Sequence, residues 1–170
     1  GGDFQWYGPS SDPLGQLAPV TGKHILLIVL ESARGDLVGK TWQGKPVSPN
    51  ITALAEQGSS AEYAYSHTGY TTSSLKALFN RTLSFGHDRV LLTDYLQRSG
   101  YTLSFISGQD ESFGDVASST GMNVPNNYFF DARTAIEDRV FASKESASLR
   151  LSEERVVRQF YERTAEVDWN

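Results

Sequence analysis

The chain has 170 residues, 39% hydrophobic and 12% aromatic, enough for one domain with a real core, since chains of about 150 residues bury roughly two-thirds of their extended surface. A formal net charge of -5 and a pI near 5.2 argue against a nucleic-acid role, which needs clustered Lys and Arg. The absence of Cys excludes a disulfide framework and a thiolate metal site, and leaves the compartment unread.

Residues 1–22, rich in Gly, Pro and Ser with isolated Trp6 and Tyr7, read as an extended arm or linker, and 23–170 as the folded body. No apolar run approaches the roughly 20 residues of a membrane span, and the opening lacks signal-peptide regions, so the sequence reads as a soluble piece. "HILLIVLESARGD" at 24–36 predicts a strand over 24–30, apolar on both faces from Ile25 to Leu30 and running straight into Glu31. Ser48-Pro49 opens a helix that Gly58 closes, and a short strand is expected near 60–65.

A second helix is expected from Thr71 or Thr72, with Leu75, Leu78 and Phe79 on one face, followed by a turn near Ser84 to His87. Another spans about Arg89 to Ser99, stopped by Gly100, and "YTLSFIS" at 101–107 reads as a strand. Strands separated by helices imply right-handed βαβ units, so the expected fold class is α/β, a mostly parallel sheet flanked by helices. Beyond Gly108 the signals weaken; Tyr128 to Phe130 are expected in the core, and a last helix starts at Ser152 with Glu153 and Glu154 in its first turn.

In an open parallel sheet, ligands gather at the carboxyl ends of the strands. Glu31 is expected at such an end, and "SHTGYTTSSLKALF" at 66–79 places a hydroxyl cluster where the chain enters a helix. Helix N-termini attract anions, and a divalent cation on a Thr hydroxyl would favour its alkoxide, as it lowers the pKa of bound water to about 7. One cation would thus both neutralise Glu31 and activate a Thr. The plainer readings are a solvated loop at Glu31 and ordinary capping and turn chemistry at 66–74.

"HILLIVLESARGD", "VSPNITALAEQG" and "AYSHTGYTTSSLKALF", continuing through "LTDYLQRSGYTLSFISGQDESFGD", resemble the opening of the sulfatase-like branch of the alkaline phosphatase superfamily, covering about residues 23–115 well and the remainder loosely. The resemblance implies an alkaline-phosphatase-like fold, incomplete here, with Glu31 as a metal ligand and Thr71 as nucleophile and ligand, since "TTSS" at 71–74 matches the four-residue pattern that ends in Ser. Thr72 is the competitor. Sulfatases proper need a Cys or Ser converted to formylglycine, followed by Pro and Arg, where this chain has Thr71, Ser73 and Leu75; a sulfuric ester hydrolase is therefore the lesser alternative. The pairing of Glu and Thr looks like lipoteichoic acid synthases and phosphoethanolamine transferases, which implies a phospholipid or other phosphate-ester substrate, a divalent metal ion (Zn, Mn or Mg), a membrane-anchored parent and an extracytoplasmic (periplasmic or extracellular) site.

Such enzymes complete the metal site with a downstream Asp-His pair, whereas the histidines here are His24, His67 and His87. The resemblance therefore implies the amino-terminal part of a catalytic domain, inactive and metal-free without the remainder of that domain. A non-catalytic relative binding a headgroup or partner, and a generic doubly wound domain with Glu31 merely exposed, remain alternatives. His67 and Lys76 are second-tier candidates for facing a phosphate, although a locally bonded loop histidine and a solvated lysine are the simpler readings. The "RGD" at 34–36 lies in the loop after the first strand and His87-Asp88 reads as turn; two sequons, at Asn50 and Asn80, say nothing about the host.

Overall fold

A computed structural model describes residues 22–66, 68–80, 91–140 and 149–168. The arm up to residue 21, His67, the turn at Ser84 to His87 with Asp88, the start of the helix at Arg89 and the second half of the sequon at Asn80 lie outside the described residues. The chain divides into two compact units, one made by Ile25–Ser66 and the other by the chain on either side of it.

In the first unit the expected strand over 24–30 does not form a ladder: residues 22–30 carry no strand pairing among the described residues, and Ile25 to Leu30 are 52–67% exposed. Apolar composition favours burial but supplies no backbone partner, and without a neighbouring strand an extended segment remains unpaired. A short 3-10 turn at Gly35–Leu37 follows. A two-stranded antiparallel hairpin, which the sequence reading did not foresee, then joins β1 (Thr41–Trp42) to β2 (Lys45–Pro46). Its central residues Gln43 and Gly44 have φ of 49° and 77°, the doubly positive pattern of a type I′ turn.

The helix α1 (Pro49–Gln57) begins and ends where Ser48-Pro49 and Gly58 predict. The Ser48 hydroxyl does not cap it; it donates instead to the Leu37 carbonyl (3.3 Å), while the Thr52 hydroxyl accepts from Gly39 N (3.1 Å), so the helix is tied to the turn before it. The strand expected near 60–65 is also absent: residues 59–66 are irregular.

The second unit holds both apolar clusters. Its elements run α2 (Thr71–Asn80), α3 (Leu92–Arg98), β3 (Ser104–Ile106), α4 (Val116–Thr120), β4 (Tyr128–Phe130) and α5 (Glu153–Thr164), with a 3-10 turn at Phe113–Asp115 leading into α4. β3 and β4 pair in parallel, Ser104 opposite Tyr128 and Ile106 opposite Phe130, which a crossover through α4 makes possible. Successive strand side chains face opposite ways. Phe105 and Phe129 accordingly pack on the cluster of Phe79, Val116, Ala117 and Met122, built on α2 and α4. Ile106, Tyr128 and Phe130 go to the other cluster with Ala132, Leu149 and Leu151, where Val156 of α5 joins them. The unit is thus α/β, a small parallel pair covered on both faces. Ser152 caps α5 by accepting from Arg155 N (3.2 Å), at the start the sequence predicts.

Candidate functional site

The entry to α2 is built by hydroxyls. Tyr70 occupies the position before the helix and its carbonyl takes the first helical bond, from Ser74 N (2.9 Å). The Tyr70 N–H donates to the Thr68 hydroxyl (3.0 Å). The Ser74 hydroxyl reaches back to the Thr68 carbonyl (3.2 Å). The last residue of "TTSS" therefore has a structural role, pinning the preceding loop against the first helical turn.

Thr71 is the first residue of α2 and is exposed, whereas Thr72 is half-buried. A Cβ added at Gly114 would lie 2.7 Å from Thr72 Cγ2, and Gly114 itself has φ of 59°. Two constraints thus select glycine there, the left-handed backbone and the close approach of Thr72. Lys76 is half-buried; standing four residues after Thr72, it shares the stripe of Thr72 and lies well around the helix from Thr71.

Glu31 is exposed, and its Oε2 accepts from the hydroxyl of Ser32 (2.7 Å), a residue held at φ of 56°. Glu31 and Thr71 belong to different units. As two donor side chains with at most three oxygens, they fall short of the roughly four ligands that zinc takes and the six of magnesium, waters included. Among the described residues no group of three or more His, Asp or Glu is arranged to hold a metal ion. Of the histidines, His24 Nε2 donates to the Asp168 carbonyl (2.6 Å), and His67 and His87 lie outside the described residues. Within the "RGD", Arg34 closes on Asp36 through two bonds (Nε to Oδ1 3.0 Å, Nη2 to Oδ2 2.6 Å). That hydrogen bonding holds the Asp36 carboxyl below its ordinary range and raises the Arg34 guanidinium, so each group is already engaged by the other.

The carboxyl ends of β3 and β4 carry an acidic cluster that the sequence reading missed. Asp131, buried, accepts four bonds: Glu111 N (3.2 Å) on Oδ2, and Arg133 N (2.9 Å), Thr134 N (3.2 Å) and the Thr134 hydroxyl (3.3 Å) on Oδ1. Its neighbour Asp110 accepts from Ser112 N (3.0 Å) on Oδ1, while Oδ2 is buried with no hydrogen-bond partner among the described residues. Burial raises the Glu111 carboxyl above its ordinary range; the hydrogen bond from Ser107 (2.5 Å) opposes that rise, and the charges of Asp131 and Asp110 add to it. The same loops line a cavity with Ser112, Asp115, Asn123 and Arg133. These residues are scattered over a stretch with weak periodicity, and only the position of Gly108 to Asp115 after a predicted strand pointed toward them.

Among the described residues no helix is long and apolar enough to cross a membrane. The family model described as Sulfatase matches residues 23–165. No solved structure matches the chain.

Proposed function

The chain belongs to the sulfatase family, a family of ester hydrolases and transferases acting on sulfate or phosphate, and from that premise we propose that it forms part of a phospho-transferase or hydrolase with Thr71 as nucleophile. The observation that supports Thr71 over Thr72 is their different surroundings: Thr71 is exposed at the mouth of α2, while the methyl of Thr72 is committed to Gly114. Phosphate is preferred to sulfate because a Thr cannot become the formylglycine of a sulfatase.

In the reaction proposed, Thr71 Oγ attacks phosphorus in line, the Oγ–P bond forms as the ester P–O bond breaks, and the hydroxyl proton is made good on the departing alcohol. An alcohol or water then attacks phosphorus, restores Thr71 and supplies the proton that returns to it. The amino-terminal N–H groups of α2 face developing negative charge favourably through the helix dipole. Glu31 is proposed as a ligand of a divalent cation (zinc, manganese or magnesium), whose remaining donors would have to come from outside the described residues. The resemblance in sequence supports a lipid headgroup as donor, a membrane-anchored parent and an extracytoplasmic location.

The test is hydrolysis of a chromogenic phosphodiester by the protein in its full natural length, followed by mass spectrometry for a phosphorylated peptide. Thr71→Ala is expected to lower turnover by about a thousandfold or more and remove the modified peptide, while Thr72→Ala leaves the modification on residue 71. Modification of residue 72, or turnover unchanged by Thr71→Ala, overturns the assignment.

A further inference from the structure

The loops leaving β3 and β4 line an open surface cavity of about 420 Å³, within the range of about 300–1,000 Å³ that small-molecule sites occupy. Such sites are mostly apolar, but this one is walled by Asp115, Asn123, Asp131 and Arg133 with Phe129 as its apolar side. The unusual polarity of the wall is the clue to its occupant.

Asp131 can be set aside, because its four internal bonds consume the carboxylate in holding the loop. Three planar polar groups remain. All three residues are exposed, open to water or to a ligand: the Asp115 carboxylate and the Asn123 carboxamide make no hydrogen bond among the described residues, and Arg133 gives only Nη1, to the Ser112 hydroxyl (2.8 Å). Asp115 is also held at φ of 57°, a left-handed conformation that a non-glycine residue adopts at a cost.

The charges decide between ligand classes. A free inorganic anion would meet Arg133 but also two carboxylates, and a bare cation would meet the carboxylates but also the guanidinium. A hydroxyl both donates and accepts, so adjacent hydroxyls satisfy a carboxylate, an amide and a guanidinium together without a charge of their own. Bidentate groups such as these span neighbouring hydroxyls, and the Phe129 ring offers the apolar surface that the C–H face of a sugar needs. We propose that this cavity binds a saccharide ring, with Asp115, Asn123 and Arg133 reading its hydroxyls and Phe129 packing against its face.

Sugar binding is read without turnover, so it stands or falls separately from the ester chemistry. Calorimetric titration of the whole chain with methyl β-D-glucopyranoside and with N-acetyl-D-glucosamine is expected to show saturable binding of at least one. Sodium phosphate and magnesium chloride serve as separate probes of the anion and cation readings. Loss of one hydrogen bond to a charged partner weakens binding about tenfold, the effect expected for Arg133→Met and for Asp115→Asn, in which Asn keeps the left-handed backbone. Asn123→Ala, at an exposed position, provides a third variant should one of these fail to fold by circular dichroism. Thr71→Ala should bind the sugar as the unaltered chain does. Absence of saturable sugar binding, sugar affinity unchanged in the folded variants, or phosphate or magnesium binding that the same variants abolish, would each overturn the proposal.

Discussion

Ile25–Leu30 and the β3–β4 pair are both extended and apolar, yet the first is more than half exposed while Phe130 is 6% exposed and packed among Ala132, Leu149 and Leu151. The difference lies in the partners. β3 and β4 pair with one another, and helices cover both faces, so each of their apolar side chains enters one of two clusters according to its parity. Residues 25–30 are more continuously hydrophobic but have no ladder among the described residues. Hydrophobicity chooses which residues want burial; pairing and covering elements decide which obtain it.

That contrast can be broken by substitution. Phe130→Ala is expected to cost about 3–5 kcal/mol in urea denaturation, whereas Ile28→Ser, at the most exposed position of the apolar run, should stay within about 0.5 kcal/mol. Comparable losses at the two positions would show that residues 25–30 are buried in solution. Glycines sharpen the same comparison. Gly114 and Gly39 both have positive φ, but a Cβ at Gly114 meets Thr72 at 2.7 Å and one at Gly39 meets nothing within 4 Å. Gly39→Ala should cost about 1–2 kcal/mol for the backbone alone, and Gly114→Ala more, by whatever moving Thr72 requires. Equal losses would mean that Thr72 yields freely.

A smaller, pH-dependent effect is expected at Glu111. Its folded-state pKa is raised, chiefly by burial, so the folded form favours the proton and loses stability as pH climbs from the ordinary carboxylate value through the raised one. Glu111→Gln, which keeps an acceptor for Ser107 and removes the repulsion from Asp110 and Asp131, should therefore raise the denaturation midpoint at about pH 7 and leave it little changed at about pH 4. A gain of equal size at both pH values would assign the effect to packing instead.

Helix boundaries were the most legible features of the sequence. Ser48-Pro49 with Gly58, Thr71, and Ser152 each mark the termini observed, because these signals act within one turn of the chain. The short parallel strand at 104–106 was legible too, from its aromatic and β-branched content between Gly100 and Gly108. The hairpin at Gln43-Gly44 escaped notice since Gln is a poor signal for a left-handed first turn position. The strand expected at 24–30 failed for the opposite reason: its local signal was strong, and strand formation is a non-local property. At the site, Thr71 and Glu31 stood out by position in a pattern. Asp131, Arg133 and Asn123 did not, because they stand in a stretch with no periodic pattern, and only its folded path turns them around one cavity.

Each residue of β3 pairs with one 24 positions later, as Ser104 does with Tyr128. Such pairing must await closure of the intervening loop, whose entropic cost falls before any ladder bond repays it. The intervening stretch contains Ser112, Asp115 and Asn123, and the stretch after β4 contributes Arg133. The pocket wall and the strand register thus depend on the same crossover, so a change that shortens or stiffens that segment bears on both.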